Sequence, residues 1–374
     1  MRRRIRVTTV AVAAVIATFG AIGQQARAAP RGFFGVVASS VPSQAEFQQM
    51  AHGGAGGVRF LIYWRQVQSV DAANYDWSQV DPIVAGAAQA GLPLLPFIYG
   101  TPTWAADCTG IPNGFCDRAD PLRTPAGRTG WRNFVIAAVD RYGPNGTFWT
   151  DTTDGYNPPK LPIHEWQIWN EPNSTTFWRP RPSPKRYGKL LKISAAAIHS
   201  RDRSARIDLA GLFGTPPKPS QSLWKFLDGL YKLKGIKSKF DAVAVHPYSG
   251  SIKGIRYQLN RTRKLMAERK DSKTPIVLTE LGWGSGSPSA PAPQGGVLQK
   301  GEQGQAQMLT SSFRLLAKQR KTFKISRVYW CTWQDLPLST AGECFLCASA
   351  GLFTAGGAAK PAWPAFARAA GGTP

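Results

Sequence analysis

The feature that most constrains this chain is an alternation: apolar, often β-branched runs take turns with amphipathic stretches of helical period, and the pair recurs eight times. The strand-like runs are 33–37, 57–63, 92–99, 164–169, 205–212, 240–245, 275–279 and 326–332. The helical patterns are 43–50, 77–90, 129–142, 183–199, 220–233, 255–269, 302–319 and 362–369. A helix after each strand returns the chain to the same edge, which makes the strands parallel, and eight such units close into a barrel. The expected fold is therefore α/β, a (β/α)8 TIM barrel occupying residues 29–374 as one domain. A typical barrel of this kind has roughly 250 residues. The excess is expected in long loops after the third strand, 101–128, and after the eighth, 336–361. A doubly wound open sheet is the alternative, but no G-x-G-x-x-G follows the first strand and the chain has no Walker loop.

Residues 1–28 read as a secretory signal: Arg2, Arg3, Arg4 and Arg6 precede the apolar stretch 7–22, and Ala26-Arg27-Ala28 is an A-x-A cleavage site. An uncleaved anchor is the alternative, although the apolar run falls short of the roughly 20 residues that span a bilayer. No later segment has the character of a membrane span, so no stable membrane insertion is expected after cleavage. Cleavage removes five arginines and no acid, which lowers the formal charge from +24 to about +19. Such a charge favours anionic partners: acidic polysaccharide, envelope polymers or nucleic acid. No nucleic-acid-binding motif accompanies it, so a nucleic-acid partner is not expected.

An exported chain keeps its cysteines oxidised more readily than metal-bound. Of the five, Cys108 with Cys116 and Cys344 with Cys347 are the shortest closures, leaving Cys331 as a thiol within an apolar run. A bridge between the two loops is the other possibility. The Cys344/Cys347 pair has no second pair or nearby histidine, and the four histidines are scattered, so no metal site is expected.

Catalytic groups of such barrels cluster at the carboxyl ends of the strands. Glutamate is scarce enough to make this a sharp test, since the chain has only seven. Glu46, Glu268 and Glu302 fall in helical patterns, Glu165 falls within a strand, and Glu343 falls in a loop. Glu171 follows the fourth strand in Trp169-Asn170-Glu171-Pro172-Asn173, and Glu280 closes the seventh in Leu278-Thr279-Glu280-Leu281. Two carboxylates facing each other across a barrel mouth are what glycoside hydrolysis needs: one protonates the leaving oxygen, the other attacks or stabilises the anomeric carbon. Trp169 and Pro172 offer an apolar setting that would hold Glu171 protonated. Arg59 and Tyr248 are placed to keep Glu280 ionised. A strand-end glutamate salt-bridged to a barrel arginine is the competing structural reading for either residue alone.

These residues resemble clan A of the retaining glycoside hydrolases, whose Asn-Glu-Pro signature ends the fourth strand and whose nucleophile ends the seventh. His246-Pro247-Tyr248, Thr279-Glu280, Trp333 and Lys360-Pro361-Ala362-Trp363 extend the resemblance over nearly the whole mature chain. Within the clan it is similar first to family 39, which includes β-xylosidases, α-L-iduronidases and exopolysaccharide endoglycosidases, and second to family 5. The resemblance implies Glu171 as acid/base and Glu280 as nucleophile. It further implies Asn170 as the holder of the sugar 2-hydroxyl, Arg59 and Tyr248 as partners of Glu280, and Trp333 as a floor of the reacting subsite. It implies no metal or organic cofactor.

Trp64, Trp104, Trp178, Trp283 and Trp333 lie at or just beyond strand ends, where sugar faces would stack on them. Trp131, Trp166 and Trp330 read as core. His246 is expected beside the cleft as a hydrogen-bonding residue, with Asp107 and Asp335 as loop acids within reach of sugar hydroxyls. Arg118, Arg123 and Arg179 are the mouth-loop cations that would meet a uronic acid. Basic residues also concentrate on the outer helices, as at Arg261, Arg263 and Lys264, and suit adhesion to an anionic matrix. The expected function is a secreted retaining glycosidase acting on a β-linked poly- or oligosaccharide. A transglycosylase with the same site is one alternative, and a catalytically idle glycan- or envelope-binding barrel is the other.

Overall fold

The computed structural model describes residues 29–153, 155–290, 296–340 and 344–374, and the signal sequence expected at 1–28 lies outside them. The strands are β1 Phe34–Val37, β2 Val58–Tyr63, β3 Leu94–Tyr99, β4 Glu165–Ile168, β5 Arg206–Asp208, β6 Leu212–Phe213, β7 Val243–His246, β8 Ile276–Leu281 and β9 Ile325–Trp330. All pair in parallel, in the order β5-β4-β3-β2-β1-β9-β8-β7-β6. β5 and β6 are two pieces of the fifth barrel strand. The ring closes through them: Leu209 N–H donates to Ala242 O (2.9 Å), Asp241 N–H to Ile207 O (2.7 Å), and Asp208 bridges Ala242 in parallel. Eight barrel strands result, as the eightfold alternation required.

The helices are α1 Gln44–His52, α2 Trp64–Val67, α3 Asp81–Gln89, α4 Pro125–Tyr142, α5 Pro184–His199, α6 Leu223–Tyr231, α7 Ile252–Glu268, α8 Gly301–Gln319 and α9 Ala362–Ala370. Serine caps start several of them. The side chains of Ser43, Ser183, Ser222 and Ser251 each accept from a backbone N–H in the first turn of the helix that follows, satisfying an otherwise orphan donor. The main core fills the space between strands and helices and includes Trp131, Trp166 and Trp330, as expected.

Both long loops are tied by local disulfides, Cys108–Cys116 and Cys344–Cys347, and Cys331 is a buried free thiol. Glu165 occupies the amino-terminal end of the barrel, paired with Arg206 at 3.5 Å and Arg327 at 3.4 Å. Burial pushes the neighbouring Asp208 carboxyl well above the usual range, and the charge of Glu165 adds to the rise. This pole is a closed structural cluster, remote from the carboxyl ends where Glu171 and Glu280 sit. No helix among the described residues is long and apolar enough to cross a membrane.

Candidate active site

β8 ends on Glu280-Leu281, so alternation decides which way Glu280 points: Leu281 is fully buried, while Glu280 keeps partial access to the cleft. Glu171 arrives differently. It lies three residues past β4, on a backbone held in the left-handed region at Trp169 (φ 72°) and again at Glu171 (φ 40°). Such a conformation costs about 1–3 kcal/mol per residue and persists only where the surroundings over-determine it. Here they do: Trp169 N–H donates to Ile98 O (2.8 Å), the Trp169 indole to Phe177 O (2.7 Å), and Glu171 N–H to Gly211 O (3.1 Å).

Arg59, fully buried on β2, organises the site. Its guanidinium lies over the Phe97 ring at 4.0 Å and donates three ways: Nη1 to Glu280 Oε1 (2.8 Å), Nη2 to Asn170 Oδ1 (2.9 Å) and Nε to Gln167 Oε1 (3.0 Å). The planar fork fixes three strands relative to one another. Tyr248 donates its hydroxyl to the other Glu280 oxygen, Oε2, at 3.0 Å. Both oxygens of Glu280 thus have donors, as the sequence suggested for these two partners.

His246 stands between the carboxylates. Nδ1 is 2.7 Å from Glu171 Oε1 and 3.5 Å from Glu280 Oε2, and Nε2 is 2.9 Å from the Thr279 hydroxyl. With Thr279 donating to Nε2, the Nδ1 proton faces Glu171. The ring fits only because residue 211 is glycine: a Cβ there would stand 2.0 Å from Nε2. His246 is fully buried and acts on the carboxylates, as the hydrogen-bonding residue expected beside the cleft.

The two carboxylates are driven apart in acidity. Burial raises the Glu171 carboxyl above the ordinary glutamate range, His246 opposes that rise, and the charge of Glu280 reinforces it. Burial also acts to raise Glu280, but His246, Arg59 and the Tyr248 hydroxyl outweigh it and hold this carboxyl below the ordinary range. One acid and one carboxylate at the same pH is the division of labour that acid-assisted substitution requires. Donor atoms of Glu171, His246 and Glu280 lie within 4.8 Å of one another, close enough for a metal to bridge. Arg59 and Tyr248 already occupy both oxygens of Glu280, however, and a guanidinium at 2.8 Å opposes a second cation, so the set suits a shared proton better.

A cleft of about 480 Å³ opens over the pair, lined among others by Arg118, Phe177, Phe213, Tyr248, Leu298 and Leu346. Its aromatics are phenylalanine and tyrosine. Trp64, Trp178, Trp283 and Trp333 are all buried, which corrects the expectation of a tryptophan ring around the mouth. Each is taken up by packing. Trp64 begins α2 and contacts Trp131 and Phe134, Trp178 packs on Trp169 and Tyr187, and Trp283 packs on Trp330. Trp333 sits against Phe353 and Trp363 with its indole donating to Glu46 Oε1 (3.1 Å), so it forms no subsite floor. Half-buried Trp104 meets Trp64 edge-on and donates to Gln68 O.

Of the loop cations, Arg118 reaches the cleft, stacked on Phe115. Arg123 is paired with Asp107 at 2.7 Å, and Arg179 lies over the Phe115 ring. Asp335 is paired with Lys360 in the wall of the eighth loop. Gln167 and Thr279 are site residues that sequence reasoning missed. For Thr279 the available signal was a polar side chain directly after the apolar run Ile276-Val277-Leu278, whereas β4, Glu165-Trp166-Gln167-Ile168, offered none for Gln167.

No protein-family model matches the chain, and no curated protein matches it. Solved structures do. The chain is similar to a family 39 glycoside hydrolase from the gut symbiont Bacteroides cellulosilyticus WH2, at 17% identity and TM-score 0.60, covering 91% of this chain and 63% of that one. It is similar to a monomeric beta-xylosidase from Caulobacter crescentus CB15, at 18% identity and TM-score 0.62, covering 92% and 69%. It is also similar to the GH5_18 protein from Streptomyces cattleya solved with GlcNAc, at 18% identity and TM-score 0.59, covering 91% and 80%. The chain thus has the (β/α)8 fold of these clan A glycoside hydrolases, and it spans less than two thirds of the length of the first of them.

Proposed function

We propose that this chain is a secreted retaining glycoside hydrolase that cleaves a β-linked poly- or oligosaccharide by double displacement. One observation carries the reading: two carboxylates of opposite acidity, Glu171 and Glu280, with oxygens within 4.8 Å of one another at the mouth of a barrel. Retaining enzymes set their carboxyl groups about 5–5.5 Å apart, whereas inverting enzymes leave roughly 6.5–9.5 Å for a water. In the first step Glu280 attacks the anomeric carbon, the glycosidic C–O bond breaks, and the Glu171 proton passes to the departing oxygen. In the second, Glu171 takes a proton from water, the water oxygen bonds to the anomeric carbon, and the ester to Glu280 breaks. Asn170, whose side chain accepts from Arg59, binds the 2-hydroxyl of the reacting sugar. The mature catalytic barrel is residues 29–374, following cleavage after Ala28.

The test is to incubate the mature chain with neutral and acidic β-linked polysaccharides and aryl glycosides, and to follow reducing ends and the first-formed anomer by NMR. Hydrolysis with the configuration kept, and lost in Glu280→Ala, is the expected result. Inversion overturns the mechanism, and activity surviving in Glu280→Ala overturns the site.

A further inference from the structure

Outside the cleft, the described residues hold one aromatic side chain that is more than half exposed: Tyr257 on α7, at 58%. It borders a groove of about 520 Å³ between α6 and α7, lined by Trp224, Tyr257, Asn260, Arg261, Lys264, Leu265 and, at its far end, Glu268. The groove is built in layers. Trp224 forms its base, the Arg261 guanidinium lies over the Trp224 ring at 4.0 Å, and Arg261 Nη1 donates to the Tyr257 hydroxyl at 3.2 Å. Arg261 is thereby held in place on an exposed face. Neither Arg261 nor Lys264 pairs with an acid among the described residues, in contrast to Arg269 and Lys232, which share Asp228.

We propose that this groove is a second glycan-binding site, specific for a polysaccharide bearing carboxylates. An exposed tyrosine face offers a stacking surface for the C–H face of a pyranose, and Asn260 offers amide hydrogen bonds to hydroxyls. Arg261 and Lys264 supply charge complementarity to carboxylates along the chain, consistent with the excess positive charge of the protein. Position supports the same occupant. Trp224 is the second residue of α6, and Tyr257 lies only about 7.5 Å below the start of α7, so the groove begins near the rim that carries the cleft. Gln258, next to Tyr257, donates to the carbonyl of Tyr248, whose ring lines that cleft. A polymer threaded through the cleft therefore meets the groove at its edge.

Threading of one polymer past both rests on the cleft taking a glycan, but the test reads binding at the groove and so fails separately from the glycosidase reading. Calorimetric titration of the Glu280→Ala chain with polygalacturonate, alginate and hyaluronan at physiological salt is compared with neutral dextran and with duplex DNA. At least one acidic polysaccharide is expected to bind and dextran is not. Tyr257→Ala, which leaves the charge unchanged, is expected to weaken binding at least about tenfold, and Tyr257→Phe to retain it. Arg261→Ala with Lys264→Ala is expected to remove the component of binding that depends on Tyr257. No binding of any acidic polysaccharide, or equal binding by Tyr257→Ala, overturns the proposal. DNA bound as tightly as the polysaccharide and indifferent to Tyr257 overturns it in favour of a bare basic surface.

Discussion

Arg59 on the second barrel strand donates from Nη1 to Oε1 of Glu280 on the seventh at 2.8 Å, spanning 221 positions of sequence. The pair closes a polar layer across the top of an apolar barrel, and it sets what Glu280 can do. With His246 and Tyr248 it outweighs the effect of burial and lowers this carboxyl, so Glu280 is ionised at a pH where an ordinary glutamate has begun to protonate.

Activity is therefore expected to persist below the ordinary glutamate range on its acid side. Tyr248→Phe removes one donor to the ionised form. A hydrogen bond to a charged group contributes about 1.5–3 kcal/mol, so a loss of roughly ten- to a hundredfold in kcat is expected. The acid limb of the kcat/KM profile should move to higher pH. A limb that stays where it is would detach Tyr248 from Glu280.

Glu171 has the opposite sign. Its raised pKa places the alkaline limb above the ordinary glutamate range, because the proton that leaves there is the one donated to the departing oxygen. Glu171→Gln should slow poor leaving groups by roughly 10²–10⁴-fold, spare aryl glycosides with acidic phenols, and erase the alkaline limb. Equal loss on both substrate types would remove Glu171 from the acid role.

Gly211→Ala tests the seat of His246. The methyl group collides with the imidazole, and displacing that ring withdraws a contact that lowers Glu171. The alkaline limb is expected to move upward as activity falls. A variant with unchanged profile would mean that the ring keeps its place.

Lys360, almost wholly buried, places its ammonium 2.5 Å from Asp335 and 3.0 Å from both Ser285 Oγ and Ser349 O, joining the eighth loop to the barrel. Burial already raises the Asp335 carboxyl against the pull of Lys360. Lys360→Met leaves that acid without its counter-ion and is expected to cost about 3–5 kcal/mol at neutral pH. A carboxyl raised in the folded state stabilises at low pH and loses that contribution as pH rises through its folded value. The penalty should accordingly shrink on acidification, and denaturant unfolding at two pH values measures it.

The barrel was legible because its period is: each strand run and each helical pattern falls on an observed element. The fifth strand was not legible in detail. Residues 205–212 read as one run, yet the ladder breaks between Asp208 and Leu212, where Gly211 makes room for a histidine from the next strand. Glu171 and Glu280 could be found because glutamate is rare here and only these two fall beside strand ends on facing sides. The tryptophans misled for a physical reason. An indole at a strand end has the same sequence context whether it faces the mouth or folds back beneath the loops. For Trp64, the short α2 turn that directs it inward has no periodic signature of its own. Gln167 and Thr279 were passed over because their partners, Arg59 and His246, lie more than thirty positions away.

The inward indoles also determine how this protein can be watched. Emission from Trp64, Trp131, Trp166, Trp169, Trp178, Trp283 and Trp330 comes from surroundings shut off from water, and the aromatic residues lining the cleft over Glu171 and Glu280 are phenylalanine and tyrosine. Intrinsic fluorescence will thus be blue-shifted and poorly quenched by acrylamide, and it will report unfolding far more strongly than saccharide titration. Affinity for a ligand of that cleft has to be read from heat, mass or an attached label.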